Sequence, residues 1–548
     1  MNASVPPQPL DAPVEAVTGG EAAVRTLIAN GVRTVFALPG VQNDWLFNAL
    51  YDHRGDIRVI HTRHEQGAAY MALGAALATG ELAVCSVVPG PGMLNAAAAL
   101  ATAYALNAKL LFLTGQIPLA AIGRNIGALH EITDHLGILS RLSKRATRIE
   151  HAAAIPAGLN EAIRTVHSGR PRPVAVEIPM DVLAARTQLG RIAAEAREPE
   201  APVLDRRGIE QIAARLAEAK SPMIFVGSGA QGVAPEIRRL AARVGAPVVA
   251  YRTGRGIMDD RNPQSFVLPA ARELWSRCDL ALALGTTMRV PRQNWDRPAN
   301  QTLIRIDVDP ASHALLSQPD LALTARLEDA LPVLAEALEA GSVHASWDPA
   351  DLAAAQDAWR KRVSVLEPQI AYLSAIRAAM GEHGVFVDEL TQVGFASRLV
   401  MPVYHPRSFI STGYMGTLGW GFPTALGVKV ARPDAPVVSV TGDGGFLFGV
   451  AELATAVQQG IALVVVVFNN GEYGNVAQMQ RTQYGGRRIA TDLVNPDFVA
   501  LAQAFGARGR RARDPQELRS ELDAGFAASG PTLIEVPVGD MPSVDPFR

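Results

Sequence analysis

Pro436-Val-Val-Ser-Val440-Thr441-Gly442-Asp443-Gly444-Gly445-Phe446 and, further on, Ile461-Ala-Leu-Val-Val-Val-Val-Phe468-Asn469-Asn470-Gly471-Glu472 are the stretches on which the fold turns. Each opens as an almost continuous apolar run of strand length, which is how a strand buried on both faces reads. Residues 449–459 between them read as a helix, with Gly460 placed to stop it. Strand–helix–strand is one crossover unit, so the two strands are predicted to be parallel and their C-terminal ends to share one edge. Asp443 and Asn470, 27 positions apart, emerge at that edge. Open α/β sheets bind their ligands there.

The residue types suit a phosphate and a divalent cation. Gly442, Gly444 and Gly445 let backbone N–H groups approach a phosphate, and the following helix presents its positive end. Asp443 and Asn470 supply hard oxygen ligands of the kind that hold Mg²⁺ shared with phosphate oxygens, and a backbone carbonyl near Glu472 can complete the protein's share. Either motif alone reads more readily as a tight turn or a strand end than as a ligand site. Their spacing across one unit favours a shared site.

Short β-rich runs alternate with Ala/Leu-rich helical patterns along the whole chain, which predicts an α/β protein built of three doubly wound parallel sheets. The expected order is a flexible arm at 1–16, a first domain at 17–183 with strands near 34–38, 82–87 and 109–114, and a polar linker at 184–203. A central Rossmann-like domain follows at 204–338, with a strand at 222–226, then a second linker at 339–349 and the last domain at 350–548. Pro173-Val-Ala-Val-Glu177-Ile-Pro179 and Pro531-Thr-Leu-Ile-Glu535-Val-Pro537 match as closing strands of the first and last domains, which points to two related domains flanking a different one.

Composition excludes several classes. The 548 residues are 48% hydrophobic and 19% charged with a net charge of −2, so large cores form and there is no basic field for nucleic acid or a membrane surface. No apolar run reaches the length of about 18 residues that a spanning helix needs. The start of the chain lacks the basic and apolar regions of a signal peptide. Cys85 and Cys278 lie far apart, which argues against a disulfide framework and fits a reducing cytoplasm.

Gly442-Asp443-Gly444 with Asn469-Asn470 resembles the thiamine diphosphate motif of the acetolactate synthase, pyruvate oxidase and pyruvate/benzoylformate decarboxylase superfamily, and the domain order over essentially the whole chain is similar to that family's pyrimidine-binding, central and diphosphate-binding domains. The resemblance implies thiamine diphosphate and Mg²⁺ as cofactors, with the metal on Asp443, Asn470 and the main chain of Glu472. It implies cofactor contacts from Gly442, Gly444, Gly445, Tyr473 and Gly474 as well. Arg63-His64-Glu65-Gln66-Gly67-Ala68 is similar to the family's activating-glutamate segment, which makes Glu65 the carboxyl that hydrogen-bonds the aminopyrimidine ring and promotes loss of a proton from its exocyclic amine. Gly413-Tyr414-Met415-Gly416-Thr417-Leu418-Gly419-Trp420-Gly421 resembles the pyrimidine-clamping turn, with Leu418 as the wedge under the bent cofactor and the Gly416 carbonyl as acceptor for the amine.

Gln42, in Pro39-Gly40-Val41-Gln42, matches the loop that faces the reacting carbon, where related lyases often carry His. His130 stands where acetolactate synthases usually have Phe, and as a titratable ring it can shuttle a proton or serve the loop structurally. Met479 replaces the Trp that selects the second substrate in acetolactate synthases, which implies a remodelled acceptor pocket. Gly227-Ser228-Gly229-Ala230-Gln231-Gly232 has the dinucleotide-binding spacing, yet Arg252 follows where an acid would bind a ribose. FAD is therefore a possible occupant of the central domain, and a purely structural domain is the preferred reading.

The expected function is a carboligase or lyase on a 2-oxo acid or 2-hydroxy ketone, acetolactate-synthase-like, passing through decarboxylation or C–C cleavage to an enamine and transfer to a carbonyl acceptor. A non-oxidative 2-oxo acid decarboxylase is the alternative, and a catalytically silent nucleotide-binding relative the third. The resemblance implies a homodimer or homotetramer with active sites at the subunit interface.

Overall fold

The computed structural model describes residues 15–190, 192, 194, 202–339, 341–343 and 347–547. All but the last two residues of the expected arm at 1–16, and parts of both expected linkers, lie outside the described residues. The chain falls into two compact units, one holding the first of three large sheets and the other the second and third.

The first sheet has six parallel strands: β2 (Thr34–Ala37), β3 (Arg58–His61), β4 (Ala83–Val87), β5 (Leu110–Gln116), β6 (Arg145–Arg148) and β7 (Val174–Pro179), in the order β3-β2-β4-β5-β7-β6. Every residue of β4, β5 and β7 is buried, as the apolar runs require of strands covered by helices on both faces. Beside this sheet lies a two-stranded antiparallel ribbon, β1 (Glu15–Thr18) on β8 (Arg186–Leu189). It corrects two expectations, since Glu15 and Ala16 belong to a strand and not an arm, and Arg186–Leu189 to a strand and not a linker. Neither run has apolar alternation to betray it. The two are strands because each satisfies the other's backbone groups.

The second sheet, β9 (Pro222–Val226), β10 (Val248–Ala250), β11 (Ser265–Val267), β12 (Leu280–Leu284), β13 (Thr302–Asp307) and β14 (Leu321–Thr324), has the order β11-β10-β9-β12-β13-β14. That is the arrangement of dinucleotide-binding sheets. The third comprises β15 (Val385–Val387), β16 (Phe409–Ile410), β17 (Val437–Gly442), β18 (Val464–Asn469), β19 (Arg508–Arg511) and β20 (Thr532–Pro537), in the order β16-β15-β17-β18-β20-β19. First and third sheets thus share one strand order and the second differs. This is the pattern expected from the matching closing strands, which are β7 and β20, each fifth in its sheet.

Register carries the likeness to side chains. Arg148 pairs with Glu177 across β6–β7, and Arg511 with Glu535 across β19–β20. In both sheets the guanidinium Nε donates to that glutamate, and an amide from the end of the neighbouring strand donates to it too, Gln116 at 3.3 Å and Asn469 at 2.8 Å.

Candidate active site

In the second unit, β17 runs directly into a helix at Asp443–Phe448, with a second helix at Glu452–Gln458. The helix expected at 449–459 is found at Glu452–Gln458, and an additional short one precedes it, starting on Asp443 itself. Its opening turn consists of Gly444 and Gly445, and glycine is required there. A methyl at Gly444 would lie 2.6 Å from the Tyr473 ring, and one at Gly445 would lie 2.5 Å from Glu389 Oε1.

Asp443 is 2% exposed. Its Oδ2 accepts from the Gly471 N–H at 3.0 Å and from Asn495 Nδ2 at 2.6 Å. Asn469 Oδ1 accepts from the same two groups, at 3.2 and 3.0 Å, so Asn495 spans the ends of β17 and β18. Burial pushes the Asp443 carboxyl above its ordinary range against these donors, and no cation of the protein pairs with it among the described residues. A buried carboxylate with donors but no counter-charge fits a site for a metal ion. Asn470 Nδ2 lies 3.4 Å from Glu472 Oε1, and a methyl at Gly474 would meet Asn470. The Glu472 side chain pairs with Arg481 at 3.3 Å and Arg488 at 2.8 Å, which leaves its main chain as the group available to an ion.

The clamping turn lies in the same unit. Gly416 at φ +58° and Gly419 at φ +77° hold left-handed backbone that other residues adopt only with strain. Leu418 between them is half-buried, and Leu390 faces Gly416. Met479 is 41% exposed on the helix Gly474–Gln483.

In the first unit, Glu65 is the first residue of the helix Glu65–Thr79, where the helix dipole favours a carboxylate. It is half-buried, accepts from Asn95 Nδ2 at 3.0 Å, and would face a methyl at Gly92 at 3.4 Å. Gly90, two residues earlier at φ +59°, packs against the backbone of His130. His130 holds φ +70° and its buried Nδ1 has no partner. Gln42 is 2% exposed; its Nε2 donates to the Leu129 carbonyl at 2.9 Å, and its Oε1 is buried and unpartnered. The loop carrying Leu129 and His130 is thus tied to the turn after β2 and to the helix that abuts Glu65. Glu65, Gln42 and His130 gather at the C-terminal edge of the first sheet, as Asp443, Asn470 and Glu472 do in the third.

Three further residues belong with these groups. Asn495 sits in an Asn-Pro dipeptide that reads only as a turn, Asn95 on an Ala-rich helix, and Glu389 two residues beyond β15. Asn95 follows Gly90-Pro91-Gly92, a turn similar to one in acetolactate synthases, whereas Asn495 and Glu389 have no local signal, since each acts on a residue distant in sequence.

In the central sheet the glycine pattern has a packing cause. Gly229 N–H donates to the Gly285 carbonyl at 3.2 Å, and methyls at Gly227 or Gly229 would collide with Gly285. Arg252 points its guanidinium at the Gly413 carbonyl. Elsewhere, Glu382, His383 and His405 bring possible ligand atoms within 4.8 Å of one another. The two imidazoles stack nearly parallel, at 15°, so their in-plane lone pairs do not converge on one ion, and Arg261 already pairs with Glu382. Cys85 and Cys278 are free and buried; burial holds both thiols high, Cys278 at about 12, so neither is a nucleophile. No described helix is long and apolar enough to cross a membrane.

Comparison with known proteins follows the same division. Residues 17–138 match the thiamine pyrophosphate enzyme N-terminal TPP binding domain, 209–334 the central domain, and 390–536 the C-terminal TPP binding domain. A probable 2-ketoarginine decarboxylase of Pseudomonas aeruginosa is 34% identical over 96% of this chain and 94% of its own. A probable acetolactate synthase large subunit of Methanocaldococcus jannaschii is 31% identical over 96% and 93%. The acetolactate synthase isozyme 3 large subunit of Escherichia coli is 32% identical over 93% and 92%.

Proposed function

This chain belongs to the thiamine pyrophosphate enzyme family, and from that premise we propose that it cleaves the bond beside the carbonyl of a 2-oxo acid and passes the product to a carbonyl acceptor. It is a thiamine-diphosphate-dependent enzyme acting on carbon–carbon bonds. The observation that carries the reading is the buried, uncompensated Asp443 carboxylate at the head of a glycine turn that ends a parallel strand. That arrangement suits a divalent cation beside a diphosphate.

When bound, thiamine diphosphate supplies the carbon nucleophile. The protein's share is to hold, bend and protonate. Asp443, Asn470 and the Glu472 carbonyl hold Mg²⁺, and the N–H groups of Gly444 and Gly445 take the phosphate, with Gly442, Tyr473 and Gly474 lining it. Gly416 and Leu418 grip the pyrimidine, and Glu65 shares a proton with its ring nitrogen. Gln42 and His130 face the substrate with the two unpartnered atoms described above, Oε1 and Nδ1. The packing of Gly227 and Gly229 on Gly285 supports a structural central domain without FAD.

Both sites are rimmed by exposed apolar side chains, Val41, Trp45 and Leu94 in the first unit and Tyr414, Phe448 and Met479 in the second. Large exposed apolar groups around polar sites mark surfaces that meet a partner. We read them as the faces of a homodimer, or a tetramer of dimers, with Glu65 of one subunit serving Asp443 of the next. Domain limits at 15–189, widened from 17–183 by the ribbon of β1 and β8, then 204–338 and 350–548, and a cytoplasmic setting suited to two buried free thiols, complete the proposal.

A second reading, a non-oxidative decarboxylase, is favoured by Met479 in place of a bulky selector and by the decarboxylase among the relatives, whose 2-ketoarginine belongs on the substrate panel. Incubation with pyruvate, longer 2-oxo acids and 2-ketoarginine, with Mg²⁺ and thiamine diphosphate and with or without an aldehyde, separates them by product. Hydroxy ketones signify ligation, and free aldehyde signifies decarboxylation. Absence of cofactor uptake by calorimetry defeats both.

A further inference from the structure

Glu389 is 1% exposed and lies two residues beyond β15, where the backbone leaves the sheet. Its Oε1 accepts from the Gly419 N–H at 2.5 Å and its Oε2 from Thr441 Oγ1 at 2.6 Å. The Gly421 N–H donates to the same carboxylate. Glycine is obligatory on both sides. A methyl at Gly421 would stand 2.8 Å from Oε2, and one at Gly445 would stand 2.5 Å from Oε1. The carboxylate is therefore wedged between the turn of Gly416, Leu418 and Gly419 and the turn of Thr441, Asp443 and Gly445.

No cation balances it among the described residues. The nearest charged neighbour is Asp388, a like charge, and Arg398 is committed to that aspartate at 2.6 Å. Burial raises the Glu389 carboxyl to about 7 although three donors oppose the shift. A buried acid without a counter-ion is costly in a fold. Retaining one is accounted for when it holds two loops together through hydrogen bonds from both.

We propose that Glu389 is a positioning residue that fixes the spacing between the pyrimidine-clamping turn and the diphosphate turn, and so sets how tightly and in what bend the chain holds its cofactor. This rests on the reading of those turns as the two handles of thiamine diphosphate. The chemistry is direct. A molecule gripped at both ends has its internal angle set by the distance between the grips, and one rigid carboxylate spans that distance.

The test uses full-length wild type, Glu389→Gln and Thr441→Val, the last addressing the same contact from its other side. Glu389→Gln keeps shape but offers an NH₂ where one donor was accepted. Calorimetry with thiamine diphosphate and Mg²⁺ should show affinity weakened about 10- to 100-fold in each variant. The double variant should lose no more than the weaker-binding single, because both remove one contact. At saturating cofactor the near-ultraviolet circular dichroism of the bound pyrimidine should also change, which a merely structural residue would leave alone. Wild-type binding with affinity and spectrum unchanged in both folded single variants overturns the brace and leaves the proposed function standing. Failure of the wild type to bind defeats the proposed function, and the brace falls with it.

Discussion

Glu177 and Glu535 occupy the same place in two sheets of one chain, each fully paired by register to an edge-strand arginine and each capped by an amide from the end of the strand on its other side. The consequences differ, because only Glu535 holds an amide, Asn469, whose oxygen meets the donors that also serve Asp443. Glu535→Ala therefore removes a partner from Asn469 and from Arg511 together. Arg511 is 41% exposed, so the ion pair is partly screened, and a loss of about 1–3 kcal/mol is expected. Thermal melts should reveal it, with Mg²⁺ affinity falling in parallel. A melt lowered without any change in Mg²⁺ affinity would mean that Asn469 does not transmit to the metal loop.

The diphosphate half of the site was legible because its parts are local. An apolar strand, a glycine turn and a second strand ending in Asn-Asn lie within one crossover unit, and the physics of that unit places their ends together. The likeness of first and last domains was legible for the same reason, since the closing strands keep their glutamate. What stayed hidden depends on distant partners. Glu389 looks like the end of a strand until Gly419 and Thr441 fold onto it, and Asn495 looks like a turn until it spans Asp443 and Asn469. The ribbon of β1 and β8 had no alternation to read, since its two strands are distant in sequence and pair through their backbones.

Glu65 stands at a helix start, supported by Asn95. If it shares a proton with the pyrimidine, Glu65→Gln keeps a side chain that fits the same space and hydrogen-bonds Asn95 but cannot exchange that proton. Turnover of any 2-oxo acid should fall about 100-fold or more while cofactor affinity changes only a few-fold. Steady-state rates beside calorimetry check both halves. Equal losses in binding and rate would make Glu65 an anchor and not an activator.

Removal of the divalent cation should act through Asp443. Chelation of the purified enzyme is expected to weaken thiamine diphosphate binding at least about 100-fold, with Mg²⁺ restoring it, because the ion neutralises phosphate charge that the glycine turn alone cannot. Asp443→Asn should bind poorly whether or not Mg²⁺ is added. Cofactor affinity indifferent to chelator would assign Asp443 a structural role only.

His130 holds a left-handed backbone at φ +70°, a conformation that glycine adopts without cost. His130→Gly should therefore leave the melting temperature unchanged or raise it slightly, by about 0.5–1 kcal/mol equivalent, whereas His130→Ala keeps the strain. With the fold preserved, any fall in turnover in His130→Gly belongs to the imidazole. Unchanged kcat and KM across the substrate panel would reduce His130 to a loop residue.

The Glu389 carboxyl, lifted by burial from its ordinary value of 4.5 to about 7, makes stability depend on pH with a definite sign. Between those values the folded chain keeps a proton on this group that the unfolded chain has lost. By linkage, its contribution is fully present below about 4.5 and is lost as pH rises through about 7. In the cofactor-free protein, wild type should lose about 3 kcal/mol more than Glu389→Gln as pH is raised across this window. The comparison with Glu389→Gln cancels every other titrating group, so denaturant melts of the two proteins at pH 5 and pH 8 isolate the term. Parallel curves would mean that the carboxylate is already ionised when buried, held by Gly419, Gly421 and Thr441 alone.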